Sequence, residues 1–195
     1  MGIRVITIGR EFGSGGRTIG KLLADKMGIP CYDSEIIEKV AEKSGFAKEY
    51  VEKKTENAHN TPLSGIFRSN YYYKSSNEDI IWSFQSRIIS ELAEKESCVI
   101  VGRCADYILR DRDDVLNVFV SADMESRKKR IVEVYGESDE TPEKRIKDKE
   151  KRRATYYQLY TDQKWGDARN YDICLDSSKL GIEQCVEILY GICKK

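Results

Sequence analysis

Residues 5–18 decide the fold, and they read VITIGREFGSGGRT. The first four form an apolar strand candidate, and a glycine-rich turn at 13–18 follows it. A helical pattern begins directly after the turn, with apolar side chains at Ile19, Leu22, Leu23 and Met27. Glycines let backbone N–H groups converge on an anion, and the start of a helix adds partial positive charge. The order of strand, glycine turn and helix therefore predicts a phosphate site.

Two phosphate-binding motifs compete for this turn. The dinucleotide fingerprint is G-x-G-x-x-G with an acid about 20 residues later, and Gly13, Gly15 and Asp33 match it. Its third glycine is missing, because position 18 is Thr18. This mismatch disfavours a nicotinamide-dependent oxidoreductase.

The P-loop pattern, G-x-x-x-x-G-K-[ST], is the better interpretation of residues 11–18. Gly16 and Thr18 match it, whereas Glu11 and Arg17 replace the first glycine and the lysine. Thr18 at the helix start suits Mg²⁺, and the guanidinium of Arg17 suits a β- or γ-phosphate. The backbone N–H groups that would cradle the donor phosphates belong to Gly13, Ser14, Gly15, Gly16, Arg17 and Thr18.

The composition excludes several classes of protein. The 195 residues carry 33 Lys+Arg and 33 Asp+Glu, and this zero net charge argues against a nucleic-acid binder. No apolar run approaches the roughly 20 residues that a membrane span needs, and no secretory signal precedes the first strand. The six cysteines form no C-x-x-C pair. This favours reduced thiols in a cytoplasmic protein.

Strands and helices alternate along the chain. Apolar runs at 98–101 and 115–120 are typical of buried parallel strands, and 171–175 predicts a last strand. Helical spacing is found at 34–43, 46–56, 77–96, 123–135, 141–157 and 180–193. Residues 57–76 are the least regular part. This order predicts an α/β fold, a P-loop NTPase-type parallel sheet flanked by helices.

The helix predicted at 141–157 is strongly basic. Its cations are Arg145, Lys147, Lys149, Lys151, Arg152 and Arg153. A phosphoryl-transfer enzyme needs arginines that clamp the developing charge and close over the nucleotide. A solvated helix face is the alternative. The tyrosines at 156–160 predict packing of this helix on the core rather than stacking on a base.

Three stretches resemble the cytidylate kinase-like proteins of the P-loop nucleoside monophosphate kinase superfamily. They are ITIGREFGSGGRT at 6–18, VIVGRCAD at 99–106, and a third between 152 and 175. The third contains RRATYY, WGD and NYDICL. Since the stretches are spread in order over nearly the whole chain, their combination is specific.

The resemblance implies one domain over residues 1–195. It would contain a nucleotide-binding core, an acceptor-binding helical lobe at about 33–95 and an arginine-rich lid at about 136–160. It also implies ATP and Mg²⁺ as cofactors. The expected partner is a small nucleotide such as CMP, and the oligomeric state is not predicted.

The resemblance also implies roles for single residues. Ser34 and Lys39 would contact the acceptor nucleotide, with Lys39 in place of an Arg. Arg103 would hold the acceptor phosphate, and Arg153 matches a lid arginine. Glu150 stands where an Asp normally helps to bind the cytidine group.

Two acids keep alternative interpretations. Asp33 would hold a Mg²⁺-bound water or an acceptor hydroxyl, or it would cap the helix that follows. Asp106 would replace the acid missing at the end of the strand at 98–101. The favoured interpretation of Asp106 is a carboxylate on the surface of a helix.

The leading hypothesis is transfer of the γ-phosphoryl group of ATP to a small acceptor, with Arg17, Arg152 and Arg153 as catalytic residues. The alternative is a nucleotide-binding regulatory module without kinase activity. The missing P-loop lysine and the missing strand-end acid favour this alternative.

Overall fold

A computed structural model describes residues 2–56 and 76–194. Within them one sheet contains β1 (Val5–Arg10), β2 (Cys31–Tyr32), β3 (Cys98–Val101), β4 (Val115–Ser121) and β5 (Ile173–Asp176). All of its pairings are parallel, in the order β2-β3-β1-β4-β5. The predicted α/β fold with a parallel sheet is therefore confirmed, although β5 begins two residues later than predicted.

Helices lie between and around the strands. They are α1 (Gly16–Met27), α2 (Glu35–Ser44), α3 (Lys48–Glu56), α4 (Asn77–Lys95), α5 (Ala105–Ile108), α6 (Met124–Tyr135), α7 (Pro142–Thr161), α8 (Ser177–Leu180) and α9 (Ile182–Cys193). The sequence pattern did not predict the single-turn helices α5 and α8, because four residues are too few to show a helical period. The irregular stretch predicted at 57–76, with His59, lies outside the described residues except for its last position.

The central strand β1 divides the core into two layers because its side chains alternate between the faces of the sheet. Ile6 and Ile8 lie in one apolar cluster with residues of α1 and α9. Val5 lies in the other cluster, with residues of α2 and α4. Helices therefore cover both faces, which is why Val5, Ile6 and Ile8 of β1 and all four residues of β3 are apolar.

The predicted caps of α6 and α7 are present. Asp123 accepts a hydrogen bond from the Ser126 N–H at 2.8 Å, and Thr141 accepts from the Lys144 N–H with Pro142 at the first helical position. In the last part of α7, Tyr156 and Tyr157 are buried, which confirms the prediction that this end packs on the core.

The turns after β1 and β3 meet at one edge of the sheet. The two strands are neighbours in register, with Ile8 opposite Val101, so both chains leave the sheet side by side. In open parallel sheets, ligands bind outside the carboxyl ends of the strands. The fold thus brings the glycine turn at 13–16 next to the turn at 102–104.

Candidate active site

The glycine turn ends in a set of backbone donors at the start of α1. The first backbone hydrogen bond of α1 runs from the Ile19 N–H to the Gly15 carbonyl at 2.9 Å. The N–H groups of residues 15–18 therefore precede the helical ladder and remain available to an anion. Thr18 is exposed at this helix start, and its hydroxyl is the hard oxygen ligand that Mg²⁺ prefers.

The glycines of the turn are required by both conformation and space. Gly13 and Gly15 have φ of 85° and 80°, which side chains rarely adopt. A Cβ on Gly13 would lie 2.9 Å from the Arg127 carbonyl oxygen, and one on Gly15 would overlap Ile182. The turn consequently lies directly against α6 and α9.

A cleft of about 940 Å³ opens over this edge of the sheet. The predicted site residues that line it are Gly13, Gly15, Gly16, Arg17, Thr18, Asp33, Ser34, Arg103, Arg152 and Arg153. Residues from four separated parts of the sequence thus meet in one cavity. The described lining does not include Ser14, Lys39 or Glu150. Ser14 is buried beneath the turn, where its hydroxyl donates to the Glu11 carbonyl at 3.0 Å.

Arg17 and Arg10 converge on Asp33. The Nε of Arg17 lies 2.5 Å from an Asp33 carboxylate oxygen, and Nη2 of Arg10 lies 3.9 Å from the other. Ser34, not Asp33, holds the cap position of α2, and its hydroxyl makes no capping bond within the described part of the chain. The Asp33 carboxylate is therefore the buried anion between two cleft arginines.

Arg10 is a cleft residue that sequence reasoning missed. Its side chain crosses from the donor turn to the turn after β3. A Cβ added to Gly16 would lie 2.5 Å from the Arg10 Cβ, and one added to Gly102 would overlap the Arg10 guanidinium. Both glycines therefore leave the space through which the arginine reaches the middle of the cleft. The sequence signal that could have indicated this is its position two residues after Ile8, at the carboxyl end of the strand.

The turn after β3 is strained. Gly102, Arg103 and Cys104 have φ of 73°, 60° and 55°, so two residues with side chains occupy the left-handed region. Gln85 Nε2 donates to the Arg103 carbonyl at 3.0 Å, and Arg103 Nη1 donates to Thr55 Oγ1 at 3.2 Å. These bonds fix a conformation that points a guanidinium into the cleft, and such strain is typical of functional sites.

Asp106 is not a surface carboxylate, and the favoured interpretation of this residue is wrong. It is 8% exposed and accepts a hydrogen bond from the Tyr157 hydroxyl at 2.6 Å. Burial raises the pKa of its carboxyl above the ordinary value, while the Tyr157 bond acts in the opposite direction. The single turn of α5, which the sequence pattern did not reveal, directs this acid inward, and Asp106 and Tyr157 both line the cleft.

The arginines of α7 reach the cleft from the opposite side. Arg153 Nη1 donates to the Arg10 carbonyl at 3.0 Å, and its guanidinium lies 5.5 Å from the centre of the Phe12 ring. Arg152 lines the same cavity. Basic side chains of α7 thus face the glycine turn, so this helix is not simply a solvated face.

Arg127 was also missed by sequence reasoning. This α6 residue is buried, and its guanidinium bonds to Glu11, to the Phe12 carbonyl and to Glu150 of α7. A lone arginine inside a basic helix pattern gives no sign of burial. The unusual Glu11 in the P-loop pattern could have indicated a buried cation nearby, because a carboxylate at that place needs a charged partner.

No cluster of three or more His, Cys, Asp or Glu side chains among the described residues could hold a metal ion. None of the helices in residues 2–56 and 76–194 is both long and apolar enough to cross a membrane.

Known protein structures share this architecture. A shikimate kinase from Bacteroides thetaiotaomicron aligns with a TM-score of 0.58 at 16% identity, over 98% of each chain. An uncharacterized protein from Eubacterium ventriosum aligns with a TM-score of 0.75 at 30% identity, again over 98% of each chain. The protein therefore has a P-loop kinase fold, in which a glycine turn and a helix start lie at the carboxyl edge of a parallel sheet.

Sequence comparison gives the family. Residues 5–179 match the cytidylate kinase-like family. Cytidylate kinases from Methanococcus vannielii and Methanopyrus kandleri are 29% and 26% identical, over 91% and 95% of this chain and 92% and 90% of theirs. The chain belongs to the cytidylate kinase-like family. Its class of enzyme is therefore that of the nucleotide kinases, which are phosphotransferases.

Proposed function

We propose that this protein transfers the γ-phosphoryl group of ATP to a nucleoside monophosphate, with CMP as the first candidate. One observation carries the proposal: the glycine turn, Arg103 and the α7 arginines line one cleft. Phosphoryl transfer needs little covalent chemistry from the protein. It needs a donor phosphate and an acceptor phosphate held in line and their charge neutralised.

The donor half is the turn after β1. The N–H groups of residues 15–18 would bind the β- and γ-phosphates, and Arg17 would contact the same groups. The oxygen chemistry of Thr18 fits Mg²⁺, which would be held there together with the phosphates of the nucleotide. Bound in this way, Mg²⁺ supplies neutralisation of the phosphate oxygens.

Exchange of partners at Asp33 would set Arg17 free for its role. Asp33 holds Arg17 at 2.5 Å, and a nucleotide polyphosphate offers the same guanidinium a more highly charged partner. Asp33 would then accept a hydrogen bond from an acceptor hydroxyl. Its second neighbour, Arg10, keeps this carboxylate compensated during the exchange.

The acceptor half is the turn after β3 together with α2 and α3. Arg103 would hold the acceptor phosphate, because its backbone is fixed in one conformation and its side chain projects from the strand end. Ser34 and Thr55 line the adjoining wall. Residues 33–95 would serve as the acceptor-binding lobe, and the predicted contact of Lys39 stays a prediction.

The α7 segment would close the cleft. We infer that residues 136–160 form the lid and that Arg152 and Arg153 stabilise the charge on the transferring group. The contact of Arg153 with the Arg10 carbonyl supports this role. Closure also excludes water, which would otherwise compete with the acceptor.

Steady-state turnover with ATP and Mg²⁺ over a panel of CMP, dCMP, UMP and AMP tests the proposal. The expected result is ADP formation that requires a nucleoside monophosphate and has its highest kcat/KM with CMP. ATP binding by calorimetry without turnover on any acceptor would contradict the kinase and support a regulatory nucleotide-binding module.

A further inference from the structure

The Arg127 guanidinium is a buried cation for which the proposed reaction has no direct use. Its Nε donates to the Phe12 carbonyl at 3.0 Å, and Nη1 lies 3.1 Å from Glu11 Oε2. Its Nη2 lies 2.5 Å from Glu150 Oε1. One side chain from α6 therefore contacts both the donor turn and the middle of α7.

Glu11 is also held by a second hydrogen bond. The same Oε2 atom accepts a hydrogen bond from the Ala122 N–H at 3.0 Å, at the end of β4. Gly13 adds backbone contact, because a Cβ there would lie 2.9 Å from the Arg127 carbonyl oxygen. The donor turn thus has a rigid support. Glu150 connects α7 to this support through Arg127, next to the bond from Arg153 to the Arg10 carbonyl.

We propose that Glu150 is a positioning residue, which holds α7 against the donor turn through Arg127 and Glu11. This inference rests on the proposed phosphoryl transfer. It gives Glu150 a role different from the contact with the acceptor base that the family resemblance implies. Its carboxylate bonds to the buried guanidinium, and it is not among the described residues that line the cleft.

The positioning role has a direct kinetic consequence. Arg153 lies three residues after Glu150, one turn further along the same helix, and it contacts the donor turn. Loss of the Glu150 bond would allow this part of α7 to move, and a small misplacement of a group that acts on the transition state lowers kcat. A ligand of the acceptor base would instead change the KM of one acceptor relative to others.

The variant Glu150→Asp separates the two roles. It shortens the side chain by one carbon–carbon bond, about 1.5 Å, so the carboxylate no longer reaches Arg127. Asp is also the residue that the resemblance places at this position as a base ligand. The positioning role predicts that kcat falls about tenfold with every acceptor, while each acceptor KM stays within about twofold.

The matched control is Glu143→Asp, in the first turn of α7. Glu143 pairs with Lys147 on the exposed face of the helix, so the same chemical change there should leave kcat unaltered. Thermal unfolding of each variant checks that it is folded. If Glu150→Asp unfolds at the assay temperature, Glu150→Gln, which keeps the side-chain length, should show a smaller loss of kcat with the same unchanged KM.

A second variant tests the role of Arg127. Arg127→Lys keeps the charge, but one ammonium nitrogen cannot take the three separate positions from which Nε, Nη1 and Nη2 reach Phe12, Glu11 and Glu150. In the Arg127→Lys background, the further change Glu150→Asp should lower kcat by less than about twofold, because the bond is already lost. A full tenfold further loss of kcat would show that Glu150 does not act through Arg127.

The outcomes distinguish this inference from the proposed function. A wild-type chain without acceptor-dependent turnover refutes the proposed function and the positioning role together. Wild-type turnover combined with an unchanged kcat in Glu150→Asp refutes the positioning role alone. An improved kcat/KM for CMP relative to UMP in Glu150→Asp would also overturn it, since that result identifies a base ligand.

Discussion

The turn after β1 and the turn after β3 leave adjacent parallel strands and face the same cleft. The first enters the left-handed region of backbone conformation at Gly13 and Gly15, which have no Cβ that would disfavour it. The second enters it at Gly102 and continues through Arg103 and Cys104, at φ of 60° and 55°. One turn therefore offers backbone N–H groups, and the other offers a guanidinium.

This difference separates two ways of building an anion site. A glycine turn reaches its conformation without steric cost, whereas each non-glycine residue in the left-handed region costs roughly 1–2 kcal/mol. Bonds from Gln85 and to Thr55 hold the second turn. The strain is concentrated where we propose that the acceptor phosphate binds, and four substitutions test this comparison.

Removing Arg17 should have the largest effect, because it takes away the cation that belongs to the donor turn. We expect Arg17→Ala to lower kcat by about 10³-fold or more, the scale of a lost transition-state arginine. Steady-state kinetics with saturating CMP measure this, and circular dichroism checks the fold. Lys26→Ala at the other end of α1, where Lys26 pairs with Glu187, is the control. Unchanged turnover in Arg17→Ala would exclude the donor role.

Removing Arg103 should disable the turn after β3 selectively. We expect Arg103→Ala to raise the acceptor KM by about 10- to 100-fold, since a charge-assisted bond contributes about 1.5–3 kcal/mol. The ATP KM should change little. Arg110→Ala, at an exposed arginine after α5, should leave both constants unaltered. Equal increases in the two KM values would reject the acceptor role.

Adding a methyl group at Gly102 should disturb the contact between the two turns. Gly102→Ala forces the Arg10 guanidinium to move, and we expect a roughly tenfold loss of kcat/KM. Gly28→Ala meets a similar φ, 66°, but nothing within 4 Å. Both variants should lose about 1 kcal/mol of stability in urea unfolding. An equal loss of activity in both would show that Arg10 plays no part.

The smallest effect on activity is expected at the bond between Tyr157 and Asp106, in the wall of the cleft. Tyr157→Phe should lower the free energy of unfolding at pH 7 by about 1–3 kcal/mol, because the buried carboxylate loses one of its hydrogen-bond donors. Burial already raises the pKa of Asp106 in the folded state. The protonated Asp106 therefore contributes stability at low pH, and this contribution is lost as the pH rises through the folded-state pKa of Asp106.

The pH dependence makes this prediction specific. Tyr157→Phe raises the pKa of Asp106 further, so the deficit of the variant should grow as the pH rises above about 4, the ordinary value for Asp. Below that pH the carboxyl is protonated in both states, and the deficit should shrink. Urea unfolding at pH 4 and pH 7 measures it. A deficit that is independent of pH would mean that the Asp106 charge is not involved.

The donor turn and the sheet could be predicted from the sequence because their signals are local. Glycines at 13, 15 and 16, an apolar strand before them and a helical period after them lie within a short stretch. The alternation of strands with helices then indicates a parallel sheet. For the same reason the first residues of α6 and α7 follow from their cap residues, whereas α7 continues to Thr161, beyond its predicted end at 157.

The rest of the site depends on contacts that no local pattern encodes. Arg10 and Arg127 look like ordinary basic residues, and only packing against Gly102 and Glu11 gives them their places. The inward direction of Asp106 depends on a single helical turn. The strain at Arg103 arises from tertiary bonds, so a propensity argument could not reveal it.

The central claim is that the two turns bind a donor and an acceptor nucleotide in one cleft. A bisubstrate analogue, in which adenosine and cytidine are joined by a pentaphosphate, tests this most directly when its inhibition constants are measured against both substrates. We predict inhibition that is competitive with ATP and with CMP. We also predict that the Arg17→Ala and Arg103→Ala variants each bind the analogue more weakly than the wild-type chain, as measured by calorimetry. Competition with ATP alone, with binding that is insensitive to Arg103→Ala, would contradict the claim.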